Sequence, residues 1–417
     1  MKPNGLPTTK PRDKGELART RKFVAKQDAI LDAAAREFNR RGLKGATFAD
    51  IAGSVGLLTN SVTYYYRRKD DLAAACLLKS IDTGQALAVA ALSAGNPEAR
   101  IRRLIHDHAE LLAGIASGRC DQLVNFNDIR ALKAPEVDHV FAAYTEMFRS
   151  IRRLLPKETL QPQQRNARAH LLLSLLHWMR RWISRYEPED YVHAAACMSD
   201  IVINGLASRR KQWREPAQPD IGWPQPAAGD ATTPEAFLRA ATILLNDQGY
   251  RGVSVDRIAA RLNLTKGSFY HHYDSKEELV AACFERTFAV IRRTQALARE
   301  RHNTGWERLT AAARAQVRIQ LSDQGPLLRT SAWNALPEET RKDSMRGLDR
   351  LIEQLGMFVV QAIREGDIPT LDPAIAAQQV AGMINAASEL DRWVPRLAGD
   401  QTDVDLFVRP LFEGILS

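Results

Sequence analysis

Two stretches of this chain concentrate side chains that can donate hydrogen bonds to a polyanion. Lys266 to Leu279 reads KGSFYHHYDSKEEL, and Thr59 to Leu72, 207 positions upstream, reads TNSVTYYYRRKDDL. Hydroxyls, tyrosines, histidines and lysines crowd together in both. On the exposed side of a short helix such groups reach phosphate oxygens and base edges, which suits nucleic acid. The blander reading is a helical hairpin whose tyrosines pack into a core. The repetition weighs against it, because both copies keep hydroxyl, aromatic and lysine at matching positions.

The elements that must position these groups are repeated too. Ile30–Leu72 aligns with Phe237–Leu279 without a gap, and 13 of the 43 positions are identical, among them Asn39, Gly42, Ile51, Ser61, Tyr66 and Lys69. The match continues through Ala74-Ala75-Cys76 into Ala281-Ala282-Cys283. So long a period means duplicated domains, not a solenoid. In copy one, apolar spacing predicts a helix over Ile30–Arg41, closed by Gly42 in the left-handed region. Thr47 then caps a second helix with Asp50 three residues on; it buries Ile51 and Val55 and breaks near Gly56. A third helix runs through Ser61–Tyr65 and a fourth starts near Lys69. Copy two offers Gly249 as the stop, Ser254 as cap, Ile258 and Leu262 as buried positions, and a third helix over Lys266–His272. Ser275, with Glu278, caps its fourth helix. Arg68 stands at the Ser275 position, so copy one is expected to lack that cap. Two short helices joined by a tight turn, the second rich in exposed polar groups, form a helix-turn-helix.

At SVDRIAARLNLTKGSFYHHYDSKEEL, and less closely at TFADIAGSVGLLTNSVTYYYRRKDDL, the chain resembles the TetR family of bacterial transcriptional regulators. The family usually has an aromatic where Thr63 sits and a small residue where Asn60 sits. The resemblance implies, twice over, a three-helix DNA-binding head and a helical body for ligand binding and dimerisation. It places Thr47 and Ser254 on phosphate. Thr59, Asn60, Ser61, Thr63, Tyr64 and Tyr65 would face the groove, as would Lys266, Gly267, Ser268, Tyr270 and His271. Lys69 and Lys276 are further expected phosphate contacts. Because TNSVTYYY and KGSFYHHY differ, the expected operator is non-palindromic. The last two helices of each body would build a four-helix interface, either inside one chain as a pseudo-dimer or between two chains as a homodimer. A one-headed regulator, in which copy one has become an interaction module, also fits.

The resemblance further implies a small-molecule effector. Candidate pocket walls are Phe126, Phe141, Phe148, His177, Trp178 and Trp182 in the first body. Trp333, Leu336, Met357, Met383 and Trp393 are candidates in the second. NDIRALKAPEVDHVF and WNALPEETRKDSM resemble a branch that senses acyl-thioesters or other lipophilic metabolites.

The remaining sequence is consistent with this. Apolar residues recur at helical spacing throughout, giving an all-α class. The expected segments are a basic disordered tail (1–22), a first head (23–72) and first body (73–213), a proline-rich linker (214–232), a second head (233–279) and second body (280–417). Thr233-Pro234-Glu235 reads as the cap and first turn that restart order. A formal charge of +9 favours a polyanionic partner only weakly. The four cysteines form no C-x-x-C pair, and no secretory signal or long uninterrupted apolar run is present, so a cytoplasmic location without a membrane partner is expected. Neither a phosphate-binding glycine loop nor a H-E-x-x-H or G-x-S-x-G motif occurs, so no cofactor, metal or catalytic residue is expected. His106 and His108, two apart on a helix, point in different directions and read as surface groups.

Overall fold

A computed structural model describes residues 14–126, 129, 132–209, 211, 213, 233–263, 265, 267, 270, 273–322, 326–394 and 402–417. Among them there are fifteen α-helices and no strands. The first unit comprises α1 (Lys14–Gly45), α2 (Phe48–Ser54), α3 (Thr59–Tyr65), α4 (Lys69–Ala91), α5 (Pro97–Ala116), α6 (Glu136–Arg152), α7 (Pro162–Trp182) and α8 (Tyr191–Asn204). The second comprises α9 (Pro234–Gly252), α10 (Val255–Arg261), α11 (Lys276–Arg301), α12 (Gly305–Leu321), α13 (Glu338–Arg364), α14 (Pro373–Ala386) and α15 (Thr402–Glu413). The proline-rich linker 214–232 lies outside the described residues.

The heads follow the local signals. Gly42 and Gly249 break α1 and α9 with φ of 70° and 68°. Ile51 and Ile258 are fully buried under them, while Val55 and Leu262 are only half-buried against the core. The turn into the third helix needs a left-handed residue. Copy one has Gly56 there (φ 65°), and copy two has Asn263 (φ 57°), a side chain that tolerates that region. Thr233 caps α9, accepting from Ala236 N at 3.3 Å. One boundary differs: α1 reaches back to Lys14, into the segment expected to be an unstructured tail. Downstream of Pro11 the run KGELARTRKFVAKQD holds no proline and many good helix formers, so the helix extends.

Within the bodies, α4 packs on α1, α5 and α6, and α11 packs on α9, α12 and α13. Of the described helices, α4 alone is long and apolar enough to cross a membrane by length and composition; here its apolar side is covered by those neighbours. The last two helices of the first unit, α7 and α8, each pack against the last two of the second, α14 and α15. Trp178 donates to Gln378 Oε1 at 3.1 Å, and its ring lies on Gly382, where a Cβ would come within 2.9 Å of it. The buried Arg168 donates to the carbonyls of Ile415 and Ser417. The ends of the two units also cross: Leu206 and Ala207 N–H groups meet the Leu411 and Phe412 carbonyls, and Ile415 N–H meets Val202 O. Gly205 and Gly414 permit this crossing, because a Cβ on either would overlap backbone of the other segment.

Candidate nucleic-acid interface and the cavity behind it

In the first head, Thr47 Oγ1 accepts from Asp50 N at 3.1 Å, while the Asp50 carboxylate accepts from Thr47 N at 3.0 Å and its hydroxyl at 2.7 Å. Those Thr47 bonds, helped by Arg41, hold the Asp50 carboxyl below its usual range. The Thr47 hydroxyl is therefore engaged inside the cap. On α3, Val62 is fully buried and fixes the helix, leaving Thr59 and Asn60 exposed, with Ser61 and Thr63 half-buried. Tyr64 is 76% exposed. Tyr65 differs from expectation: it turns inward and packs on Phe23, with ring centroids 4.7 Å apart. The outward face is Thr59, Asn60, Thr63 and Tyr64, two i, i+4 pairs.

The cap before α4 is only half lost. Arg68 has no acceptor to offer, but Asp71 still accepts Arg68 N–H at 3.1 Å. The Arg68 guanidinium is neutralised by Asp71 and Glu136, which leaves the Arg67-Arg68-Lys69 run less cationic than its sequence suggests. In copy two, Ser275 Oγ accepts from Glu278 N at 3.1 Å, and Glu278 reaches Asp274 N. Lys69 donates to Ala46 O at 2.9 Å, and Lys276 donates to Tyr250 O while lying 3.9 Å from the Tyr250 ring centre. Both expected phosphate contacts thus tie the fourth helix to backbone shortly before the second, at Ala46 in the loop and at Tyr250 in the last turn of α9.

In the second head, Ser254 Oγ accepts from Arg257 N at 3.2 Å. Gly267 and Tyr270 are exposed, Tyr270 at 49%. Lys266, Ser268 and His271 lie outside the described residues.

Behind the heads, candidate wall residues of both bodies meet in one space. A cavity of about 570 Å³ is walled by both units. Phe126, Phe141, His177 and Trp178 line it from the first, and Trp333 from the second. The other six candidates do not. Phe148 and Trp393 stack on each other at 3.7 Å across the unit boundary. Trp182, Leu336 and Met383 are core residues. Met357 is 61% exposed, because it sits two positions after buried Leu355 and so on the opposite face of α13. A second void of about 50 Å³, under Phe284 and Trp333, is too small for a metabolite. Burial pushes the His177 imidazole down to about 3, so it faces the cavity uncharged. On α5, His108 turns inward to Leu176 O at 3.1 Å. His106, Asp107 and Glu110 bring donor atoms within 4.8 Å of one another, but Asp107 is held by Arg103 at 2.6 Å.

One set of contacts was not anticipated. Asn39 donates to Leu123 O and accepts from Asn125 N, both at 2.9 Å. Asn246 donates to Leu327 O at 2.9 Å and accepts from Arg329 N at 3.0 Å. Ser80 and Thr287 accept from the intervening Val124 and Leu328 N–H groups, each at 2.9 Å. Each head is thereby latched to the loop that enters the cavity wall. The available signal was the identity of Asn39 and Asn246 in the repeat.

The profile described as "Bacterial regulatory proteins, tetR family" matches residues 30–76 and again 237–283, and a "Tetracyclin repressor-like, C-terminal domain" profile matches 302–393. The chain holds modules of the TetR family. It carries the TetR amino-terminal module twice, and TetR members are regulators, not enzymes. The chain is 37% identical over 60 residues to the transposon Tn10 TetC protein of Escherichia coli (14% of this chain, 30% of that one). It is 40% identical over 54 residues to the biofilm operon icaADBC HTH-type negative transcriptional regulator IcaR of Staphylococcus epidermidis (13% and 29%). The match spans about 30% of the length of these two relatives. Among solved structures, AibR in complex with isovaleryl coenzyme A and operator DNA is 25% identical, with a TM-score of 0.36, covering 42% of this chain and 94% of that one.

Proposed function

We propose that this protein is a sequence-specific, DNA-binding transcriptional regulator of the cytoplasm that uses two unlike heads on a non-palindromic operator and is released by a small lipophilic or acyl-thioester-like effector. The observation that carries this reading is the pairing of two TetR-type heads in one chain with the mutual packing of α7 and α8 on α14 and α15. Those helices use each other's apolar faces, so a pseudo-dimer inside one chain accounts for them without a second copy. Repression is the proposed sign, in keeping with the description of IcaR as a negative regulator. The outward Thr59, Asn60, Thr63 and Tyr64 face and the exposed Tyr270 differ enough to prefer different bases.

The test is DNA binding by the full chain as salt is raised. Phosphate contacts release counterions, so affinity should fall steeply and linearly on logarithmic axes. Tyr64→Ala and Tyr270→Ala then report on each head, because Tyr64 is 76% and Tyr270 49% exposed. Losses in both variants support two reading heads. A loss confined to Tyr270→Ala supports the one-headed alternative, which the neutralised Arg68 favours. Affinity indifferent to salt would overturn the DNA-binding reading altogether.

A further inference from the structure

The loops that hold the two heads run into the same cavity, and that cavity is cationic. Among the described residues six arginines reach its wall, Arg40, Arg180, Arg181, Arg329, Arg341 and Arg392, against one lining carboxylate, Glu389. Some of this charge is spoken for: Arg181 pairs with Asp349 at 2.5 Å, Arg329 with Glu389 at 2.8 Å, and Arg40 with Glu37 at 2.8 Å. Arg180 is different. It has no carboxylate partner among the described residues, and it donates to Leu123 O at 2.8 Å, the carbonyl that Asn39 also holds. Burial lowers its guanidinium to about 10, which still leaves it charged at neutral pH. A half-buried cation served only by a carbonyl gains from an anion that replaces the missing partner. The aromatic wall of Phe126, Phe141, Trp178 and Trp333 offers an apolar surface beside it. At about 570 Å³ the space lies within the roughly 300–1,000 Å³ of metabolite sites.

We propose that the cavity between the two units is a single effector site for an amphiphilic anion, a carboxylate or phosphate joined to an apolar chain, held by Arg180 of the first unit and Arg329 of the second. This rests on the effector reading above and supplies its chemistry and its place. The same two arginines reach both heads. An anion drawn to Arg180 competes with Leu123 O and loosens the carbonyl gripped by Asn39. Arg329 presents its own backbone N–H to Asn246, so a pull on its side chain moves the second latch. One ligand therefore acts on both heads, provided that it binds the loosened arrangement more tightly.

Trp178 and Trp333 line the cavity, so tryptophan fluorescence of the full chain, without DNA, reads occupancy. The probes are octanoate, octanoyl coenzyme A and 1-octanol, which separate a carboxylate, a phosphate-bearing thioester and an uncharged chain. At least one anion should saturate the signal, about tenfold or more tighter than octanol. Arg180→Gln and Arg329→Gln should each weaken that anion by about thirtyfold or more. Arg180→Lys, which keeps the charge, should recover most of the loss and decides the matter if Arg180→Gln fails to fold. Octanoate without octanoyl coenzyme A names a free carboxylate; the reverse names the phosphate-bearing ligand. The proposal is overturned if octanol binds as well as the anions, if neither anion binds, or if the variants bind like the wild type. Salt-dependent DNA binding by the unliganded wild type is measured separately, so failure of the site and failure of the regulator reading remain distinct.

Discussion

The first and second units share a plan and differ in how their heads are finished. Both bury the same isoleucine, both stop the first helix at a left-handed glycine, and both latch the head with the same asparagine. The second head then caps its fourth helix with Ser275, while the first keeps only the Asp71 half of the cap, with the Arg68 guanidinium tied to Asp71 and Glu136. The segments after the turn diverge further in sequence, TNSVTYY against KGSFYHH. Duplication has therefore kept the parts that set the fold and released those that face outward, which is the division expected if each head reads its own bases.

The largest expected effect tests the shared part. Ile51→Ala and Ile258→Ala each remove a fully buried side chain and should cost about 2–5 kcal/mol apiece in urea unfolding. A loss at only one position would break the equivalence of the cores.

The bodies should part company in acid. His108 and His177 of the first are pushed down to about 4 and about 3, chiefly by burial, and His170 is lowered too. The unfolded chain takes up these protons near the ordinary histidine value of about 6.5. Their stabilising contribution is thus present above about pH 6.5 and lost as pH falls from there towards 4 and below. Circular dichroism melts between pH 7 and 4 should show declining stability, and His177→Phe should flatten the decline. An unchanged slope would remove His177 from the account.

The latches should respond unequally. Asn246 is buried and Asn39 half-buried, so Asn246→Ala should cost more, about 1–3 kcal/mol, through its unpaired backbone partners. Equal costs would mean that the two loops are held alike. The smallest effect lies at the cap, where Ser275→Ala should cost about 1 kcal/mol. Arg68→Ala should cost less, since Asp71 still takes the backbone N–H; a larger loss there would contradict the half-retained cap.

Much of the head was legible because helix stops, caps and buried positions are local: Thr47 with Asp50, Ser254, Gly42 and Gly249 each follow from a few neighbouring residues. The inward turn of Tyr65 was not, since it depends on Phe23 in a helix that extends further back than composition implied. The internal occupation of Lys69 and Lys276 was hidden too, because their partners are backbone carbonyls, which sequence does not distinguish. The cavity was half legible. Phe126, Phe141, His177, Trp178 and Trp333 were recognisable as wall material, but nothing local says that residues 155 to 207 positions apart share one space. Phe148 and Trp393 instead became partners of each other.

The central claim is that one chain presents two different DNA-reading heads. It is tested most directly by footprinting the full chain on DNA from upstream of its own gene while weighing the complex by native mass spectrometry. The account predicts protection of two unlike half-sites with a single chain bound. A palindrome occupied by two chains, or a single protected half-site, would contradict it.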